Sequence, residues 1–302
     1  MKVEITELLD LTREQTALID MHSVVNIINV LLNELEFLQE DLPKAKQLQR
    51  AADEIQQIYH RLRSTNDIEA ELGNLLKCEA HVMELVRAVL EAHPEAAGNP
   101  DLESSVSNLK SVFAILDTRT RELQERVLAP ENSTDHAVEQ LTAHFYNVLA
   151  AIEKNSKGRY RIVHNIAEQE QQDYIVNFSI DSVDGAAIHM PPVLQDVMRD
   201  LIANARKYTE PGGEITAGLA DNGKALRFVV EDTGRGIPSD EVQQVVEFAK
   251  RGSNVDDKAT MGGGFGLTKA CLVTRLFGGR MWIDSRPGTG TRITLSIPRP
   301  AA

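Results

Sequence analysis

Three glycine-rich segments in the second half of the chain have the composition of ligand-binding loops. They read DTGRGIP at 232–238, GGGFGL at 262–267 and PGTGT at 287–291. Each alone would be taken for a turn, and neither a GxxxxGK[ST] motif nor a GxGxxG motif after a strand occurs. The second segment nevertheless runs into a helical pattern at 267–276, and free backbone amides at a glycine-rich helix start bind phosphate groups. It therefore predicts a phosphate site.

Polar side chains accompany these glycines. Asp232 ends an apolar strand pattern, where a buried carboxylate can accept a hydrogen bond from an exocyclic amine. One face of a predicted amphipathic helix carries four more polar residues: Asp200, Asn204, Lys207 and Tyr208. Alone, this stretch also fits a solvated helix face. A carboxylate, an amide oxygen and an ammonium together suit a magnesium ion and a phosphate group.

In this order the segments resemble the sequence boxes of sensor histidine kinases, which belong to an ATPase superfamily shared with gyrase, a chaperone and mismatch-repair proteins. The matching segments are the N box at 204–209, the G1 box at 232–238, the F box at 247–248, the G2 box at 262–267 and the G3 box at 288–291. The resemblance covers roughly residues 155–300. It implies an α/β sandwich of the Bergerat type that binds ATP and Mg2+.

The resemblance also implies roles for individual residues. Asn204 would bind Mg2+, and Asp232 would bind the amino group of adenine. Residues 239–261 would form a mobile lid over ATP, from which Lys250 or Arg251 could reach the γ-phosphate. The remaining nucleotide-binding residues that it implies are Lys207, Tyr208, Gly234, Gly236, Ile237, Gly262, Gly263, Gly264, Phe265, Gly266, Leu267 and Thr291.

A phosphoacceptor histidine is the other part that this family requires. His22 follows the heptad position Met21 at the rim of an apolar stripe, and Asn26 lies one turn later on the same face. The segment HSVVN at 22–26 thus resembles the H box of the family, in which a histidine precedes threonine or asparagine by four residues. An exposed structural histidine is the alternative. Four further histidines lie on predicted helices: His60, His81, His136 and His144.

The chain departs from the family pattern in two places. Ser23 follows His22 where the family has an acidic residue, and positions 18, 19, 25 and 26 hold no carboxylate that could take the proton. In addition, about 110 residues separate the end of the His22 helix from the ATP-binding domain. We expect extra helices within the bundle, with a helix at 134–154 packing near the His22 helix. Alternatively, residues 1–63 form the hairpin and another helical module follows.

The elements that position these residues divide the chain into two domains. Residues 1–154 predict a helical dimerisation and phosphoacceptor domain, because residues 1–153 hold 2 of the 19 glycines and show no strand-like alternation. Heptad spacing marks the first helix through Leu11, Leu18, Met21, Val25, Ile28, Leu32 and Leu35. Further helices are predicted at 42–63, 66–92, 101–128 and 134–154, the last one capped by Ser133, Thr134 and Asp135.

Residues 155–302 predict the catalytic ATP-binding domain, an α/β sandwich with helices on one face of a mixed sheet. Strands are predicted at 160–165, 174–180, 215–219, 226–231, 280–284 and 291–297, and helices at 193–208 and 266–276. The strands at 215–219 and 226–231 are close enough in sequence to form a hairpin.

Charge and hydropathy exclude several classes of protein. The chain of 302 residues has a formal net charge of −13, and 27 of its 45 acidic residues lie within residues 1–153, which argues against nucleic-acid binding. No apolar run reaches the ~18–20 residues of a membrane span, and the amino terminus lacks a signal-peptide pattern. We therefore expect a cytoplasmic chain without a membrane segment. Cys78 and Cys271 lack the spacing of a disulfide framework or a zinc site.

Together these patterns predict an ATP-dependent protein histidine kinase. It would autophosphorylate His22, with Asn26, Asn204 and Lys207 as the other catalytic residues, and pass the phosphoryl group to an aspartate of a response-regulator receiver domain. The long heptad face predicts a homodimer through the N-terminal helices. Two alternatives remain: a serine protein kinase of the mitochondrial dehydrogenase kinase type, and a non-catalytic ATP-binding scaffold or histidine phosphotransferase.

Overall fold

Two compact units make up the chain. The computed structural model describes residues 2–7, 9–42, 45–64, 68–96, 98–128, 132–156, 158–255 and 264–300. The first unit, here called the helical unit, consists of Thr16–Pro130. The second, called the sheet unit, combines Met1–Gln15 with Glu131–Ala302. This division differs from the predicted boundary at 154, because the residues on both sides of the helical unit join the sheet unit.

Long helices build the helical unit. They are α1 (Arg13–Asp41), α2 (Lys46–Ser64), α3 (Ile68–Ala92) and α4 (Pro100–Leu128). Their apolar residues form one continuous core, to which α1 contributes Met21, Val24, Ile28, Leu31, Leu35 and Leu38. The other residues of the predicted heptad pattern in α1 stay partly exposed, namely Leu18, Val25 and Leu32. Val25 and Leu32 nevertheless pack against this core, so the apolar stripe of α1 lies along its edge.

Helix α1 is also long and apolar enough to cross a membrane. By length and composition the segment Glu14–Asp41 passes this test, and among the described residues it is the one helix that does. The core helix of a soluble protein and a signal sequence near the amino terminus have the same length and composition.

A seven-stranded mixed sheet forms the centre of the sheet unit. The strands of this unit are β1 (Lys2–Glu4), β2 (Thr134–Ala137), β3 (Ile162–Val163), β4 (Tyr174–Asp181), β5 (Ala187–Met190), β6 (Glu214–Asp221), β7 (Ala225–Asp232), β8 (Arg280–Arg286) and β9 (Gly290–Pro298). The sheet has the order β1-β8-β9-β7-β6-β4-β3, and β2 pairs separately with β5. The pairs β3–β4 and β4–β6 are parallel, and the others are antiparallel. The mixed sheet and the β6–β7 hairpin confirm the predictions.

Helices cover one face of this sheet. They are α5 (Val138–Asn155), α6 (Pro192–Tyr208) and α7 (Gly266–Leu276). Alternate strand residues such as Phe228 and Val230 form a common core with Val197 and Leu201 of α6. The side chains between them, such as Arg227 and Glu231, are exposed. The predicted α/β sandwich is therefore confirmed.

The sequence missed the strands at 2–4, 134–137 and 187–190. The prediction that Ser133, Thr134 and Asp135 cap a helix is wrong, because Thr134 and Asp135 pair with β5. Helix α5 begins at Val138, and no side chain caps it. His136 accordingly lies in a strand rather than in a helix. Strands of three or four residues are too short for alternation to reveal them.

The edge strand β1 is held from several sides. It pairs with β8, and the Ile5 amide donates to the Met281 carbonyl at 2.9 Å. Gln243 donates to the Glu4 carbonyl at 2.7 Å, and Arg275 of α7 donates to the Ile5 carbonyl at 3.1 Å. The helical unit is therefore an insertion between β1 and β2.

Candidate functional site

Helix α6 brings together the polar residues that the sequence singled out. Pro192 occupies the first turn, where its missing N–H costs no hydrogen bond, and Thr209 after the helix is extended. Val197 and Leu201 of the inner face are buried. The neighbouring face holds four partly exposed residues, Asp200, Asn204, Lys207 and Tyr208. The predicted placement on one helical face is therefore observed.

The start of α7 lies directly on Asn204. A Cβ atom at Gly266 would lie 2.7 Å from Nδ2 of Asn204 and 3.8 Å from Cβ of Asp200, so a side chain there would displace the Asn204 amide. Phe265 precedes the helix and makes no side-chain cap hydrogen bond. The first amides of a helix have no partner within it, and those of α7 lie next to the amide side chain of Asn204, a position that suits an anion.

Asp232 occupies the end of β7, in register with Thr291 of β9. Its Oδ1 accepts a hydrogen bond of 2.8 Å from the Gly234 amide, and burial raises the pKa of the carboxyl to about 6. A Cβ atom at Gly234 would lie 2.7 Å from Asp232 Oδ1 and 2.5 Å from the carbonyl oxygen of Tyr208. Glycine thus lets the G1 segment contact the end of α6.

A pair of buried hydroxyl groups connects the G1 and G3 segments. Ser285 Oγ lies 2.9 Å from Thr291 Oγ1 and accepts a hydrogen bond of 2.8 Å from the Ile237 amide. Gly236 has a φ of +70°, and a side chain there would collide with the carbonyl of Arg286. The two segments are therefore interlocked through backbone contacts around Asp232.

Comparison with known families identifies this region. Residues 190–301 match the family model described as "Histidine kinase-, DNA gyrase B-, and HSP90-like ATPase". We refer to this matched segment as the ATPase domain below. The ATPase domain includes every residue of the site described above.

Curated relatives of the ATPase domain are sensor kinases. The chain is 36% identical over 109 residues to the adaptive-response sensory kinase SasA of Nostoc sp., covering 36% of this chain and 27% of that protein. To SasA of Synechococcus elongatus it is 28% identical over 194 residues, covering 64% of this chain and 49% of that protein. The matched segments span less than half of these relatives. These matches confirm the resemblance of the chain to sensor histidine kinases.

A solved structure gives a weaker likeness. The nucleotide-free catalytic domain of histidine kinase ThkA aligns with 56% of this chain and 96% of its own, at 17% identity and a TM-score of 0.41. The family of the ATPase domain therefore rests on the sequence matches.

Positive charge accumulates beside Asn204 in the ATPase domain. Burial, followed by the charges of Arg251 and Arg206, lowers the pKa of Lys207 to about 8. Arg251 is partly buried and donates to the Val255 carbonyl at 2.8 Å, whereas Lys250 is exposed. Of the two predicted lid cations, Arg251 is thus the one whose charge acts on Lys207.

The F segment is tied to the start of α7. Thr268 Oγ1 donates to the carbonyl of Glu247 at 2.9 Å, and the rings of Phe248 and Phe265 lie 4.9 Å apart. Leu267 follows Gly266 in the first turn of α7, and Gly264 precedes it with a φ of +78°. The predicted phosphate residues Gly262 and Gly263 and the lid residues 256–261 lie outside the described residues.

The predicted phosphoacceptor lies in the helical unit. His22 is partly buried on α1, and Asn26 Nδ2 lies 3.3 Å from its Nε2 and 3.4 Å from its Nδ1. The pair predicted from spacing is therefore in contact. Other histidines also have polar partners: His81 contacts Glu54, His136 contacts Gln195, and His144 contacts Arg199.

Sequence reasoning missed a buried cluster of charges between α6 and α7. Lys269 is 1% exposed and lies 3.4 Å from both Asp196 and Asp200, and Arg199 pairs with Asp196. The available signal was a lysine in the apolar helical segment GLTKACLV at 266–273, together with the spacing of three and four residues among the charges of α6.

Proposed function

We propose that this chain is an ATP-dependent protein histidine kinase that autophosphorylates His22. The observation that carries the proposal is the close approach of the glycine start of α7 to Asn204 within the ATPase domain. We propose that the first binds phosphate and the second holds the metal. The contact of His22 with Asn26 on α1 supports the acceptor.

The adenine side of the site is built from Asp232 and its neighbours. Its carboxylate accepts a hydrogen bond from the exocyclic amine of adenine, and the Gly234 amide holds the carboxylate in place. A charged hydrogen bond of this kind contributes about 1.5–3 kcal/mol. The hydroxyls of Ser285 and Thr291 supply further polar groups next to this carboxylate.

The residues on the phosphate side fit a magnesium nucleotide. The amides of the first turn of α7 bind phosphate oxygens, and Lys207 and Arg251 supply positive charge. Asn204 would hold the metal through its amide oxygen, because oxygen ligands suit this hard cation. Bound magnesium would offset phosphate charge. The chain's own contribution is to hold the triphosphate for an in-line attack.

The chemical step would form a bond between a ring nitrogen of His22 and the γ-phosphorus. The bond from this phosphorus to the bridging oxygen breaks, and ADP takes the electron pair. The imidazole must also lose a proton. Because Ser23 cannot accept it as a carboxylate would, we propose that water takes the proton and that autophosphorylation is slow.

The partly exposed edge of the apolar stripe of α1 supports a homodimer. Leu18, Val25 and Leu32 recur every seven residues and remain partly exposed, although Val25 and Leu32 also pack against the helical core. We propose that this part of the stripe packs on a second copy of the chain. We also propose that the phosphoryl acceptor is an aspartate of a response-regulator receiver domain and that the protein acts in the cytoplasm.

Incubation with ATP labelled at the γ-phosphate tests the proposal. We expect label on the chain that is lost in acid, is stable in base and is absent from His22→Ala. The matched control is His60→Ala, which should keep the label. Acid-stable label on a second protein would instead favour a serine kinase, and nucleotide binding without any label would favour a scaffold.

A further inference from the structure

The ATPase domain buries a lysine between α6 and α7. The Nζ of Lys269 lies 3.4 Å from an oxygen of Asp196 and 3.4 Å from an oxygen of Asp200. Arg199 is the second partner of Asp196. The cluster thus contains two carboxylates, one ammonium and one guanidinium, and its formal charges cancel.

The two carboxylates depend on Lys269 to different degrees. Asp196 is 7% exposed and also pairs with Arg199, whereas Asp200 is 24% exposed and pairs among the described residues with Lys269 alone. Lys269 Nζ and Asp200 Oδ2 are buried atoms that make no hydrogen bond of normal geometry with the described residues. The ammonium therefore acts on Asp200 through its charge.

Asp200 lies where the proposed site receives phosphates. It precedes Asn204 by one turn on the same face of α6, and its Cβ lies 3.8 Å from the position of a Cβ at Gly266. A carboxylate without a counter-charge would repel phosphate groups at this helix start and attract a divalent cation. Compensation by Lys269 removes both effects.

We propose that Lys269 is a positioning residue that neutralises Asp200 beneath the start of α7 and thereby sets how strongly nucleotide binding depends on Mg2+. The inference rests on the proposed nucleotide function of this site. A role in stability alone does not require a lysine, because apolar residues often replace buried ion pairs without loss of stability.

The test measures ADP binding to the full chain by calorimetry, once in EDTA and once in excess MgCl2. For Lys269→Met we expect the affinity in EDTA to fall by about tenfold, equivalent to about 1.4 kcal/mol, and the affinity in MgCl2 to fall much less. Adding Asp200→Asn should restore the affinity in EDTA to within about threefold of the parent. Lys224→Met, at an exposed turn, is the matched control and should change neither value.

The inference is overturned if Lys269→Met loses ADP affinity equally in both buffers and Asp200→Asn does not restore it. It is also overturned if Lys269→Met loses no affinity. If circular dichroism shows that Lys269→Met is unfolded, Asp200→Asn alone decides. It leaves the ammonium in excess, so a higher affinity in EDTA supports the inference and an unchanged affinity contradicts it. If the parent chain binds ADP in neither buffer, the proposed function itself fails.

Discussion

The helical unit and the sheet unit differ in their glycine content and in the number of polar side chains that they bury. Among the described residues of the helical unit, Thr120 is the one buried polar side chain, and the core is otherwise apolar. The sheet unit buries Ser156, Asp173, Asp196, Arg199, Thr209, Asp221, Thr268, Lys269, Thr274, Ser285, Thr291 and Thr294. Spacing of apolar residues therefore specifies the helical unit, whereas individual polar and backbone contacts specify the sheet unit.

The largest expected effect tests the backbone contacts of the sheet unit. Gly236→Ala should lower the free energy of unfolding by roughly 3–5 kcal/mol, because its φ of +70° strains alanine and its Cβ collides with Arg286. Gly288→Ala is the matched control, since it has a φ of +73° but open space around it, and should cost about 1–2 kcal/mol. Chemical denaturation measures both. Equal losses of unfolding free energy in the two variants would show that the contact of Gly236 with Arg286 does not specify the sheet unit.

A polar contact with the ligand should have the next largest effect. Asp232→Asn should weaken ATP binding by about tenfold or more, because a charged hydrogen bond is lost. The pKa of this carboxyl is raised to about 6, so it is charged above that pH and protonates as the pH falls through it. Calorimetry should therefore show that parent affinity falls from about pH 7 to about pH 5. In the variant, the part of this pH dependence that is due to Asp232 should be missing.

Two buried threonines compare the units directly. Thr268 Oγ1 donates to the Glu247 carbonyl at 2.9 Å, so Thr268→Val should cost roughly 1–3 kcal/mol of unfolding free energy. Thr120 Oγ1 is buried without a hydrogen-bond partner among the described residues. Thr120→Val should therefore leave stability unchanged or raise it by about 1 kcal/mol. A loss of stability in Thr120→Val would contradict the inference that packing of apolar residues alone specifies the helical unit.

The smallest expected effect concerns a glycine of the helical unit. Gly73 lies within α3, and a Cβ there would meet no atom within 4 Å. Gly73→Ala should raise the free energy of unfolding by roughly 0.5–1 kcal/mol, because alanine loses less backbone entropy in a helix. A loss of stability in thermal unfolding would show that this glycine has a packing role.

The sequence predicted the features that local chemistry dictates. Asp232 and Gly234 belong to one tight segment, so their contact follows from the motif itself. The contact of Gly266 with Asn204 joins two motifs that the family resemblance had already assigned to one site. The strands β1, β2 and β5 were not predictable, because three or four residues show no clear period.

Other features depend on contacts between distant residues. Lys269 meets Asp196 and Asp200 from a different helix, and lysine is rarely buried, so the sequence analysis did not single it out. The choice between Lys250 and Arg251 likewise depends on which of them packs near Lys207. Such contacts are set by tertiary packing rather than by motif order.

The pairing of β1 with β8 has a consequence for the order of folding. Lys2 pairs with Asp284, so the first strand leaves the ribosome long before its partner has been made. The helical unit is contiguous in sequence and its helices form local contacts, so it can fold while the rest of the chain is still being synthesised. The edge of the sheet that holds β1 therefore cannot close until β8 has been made.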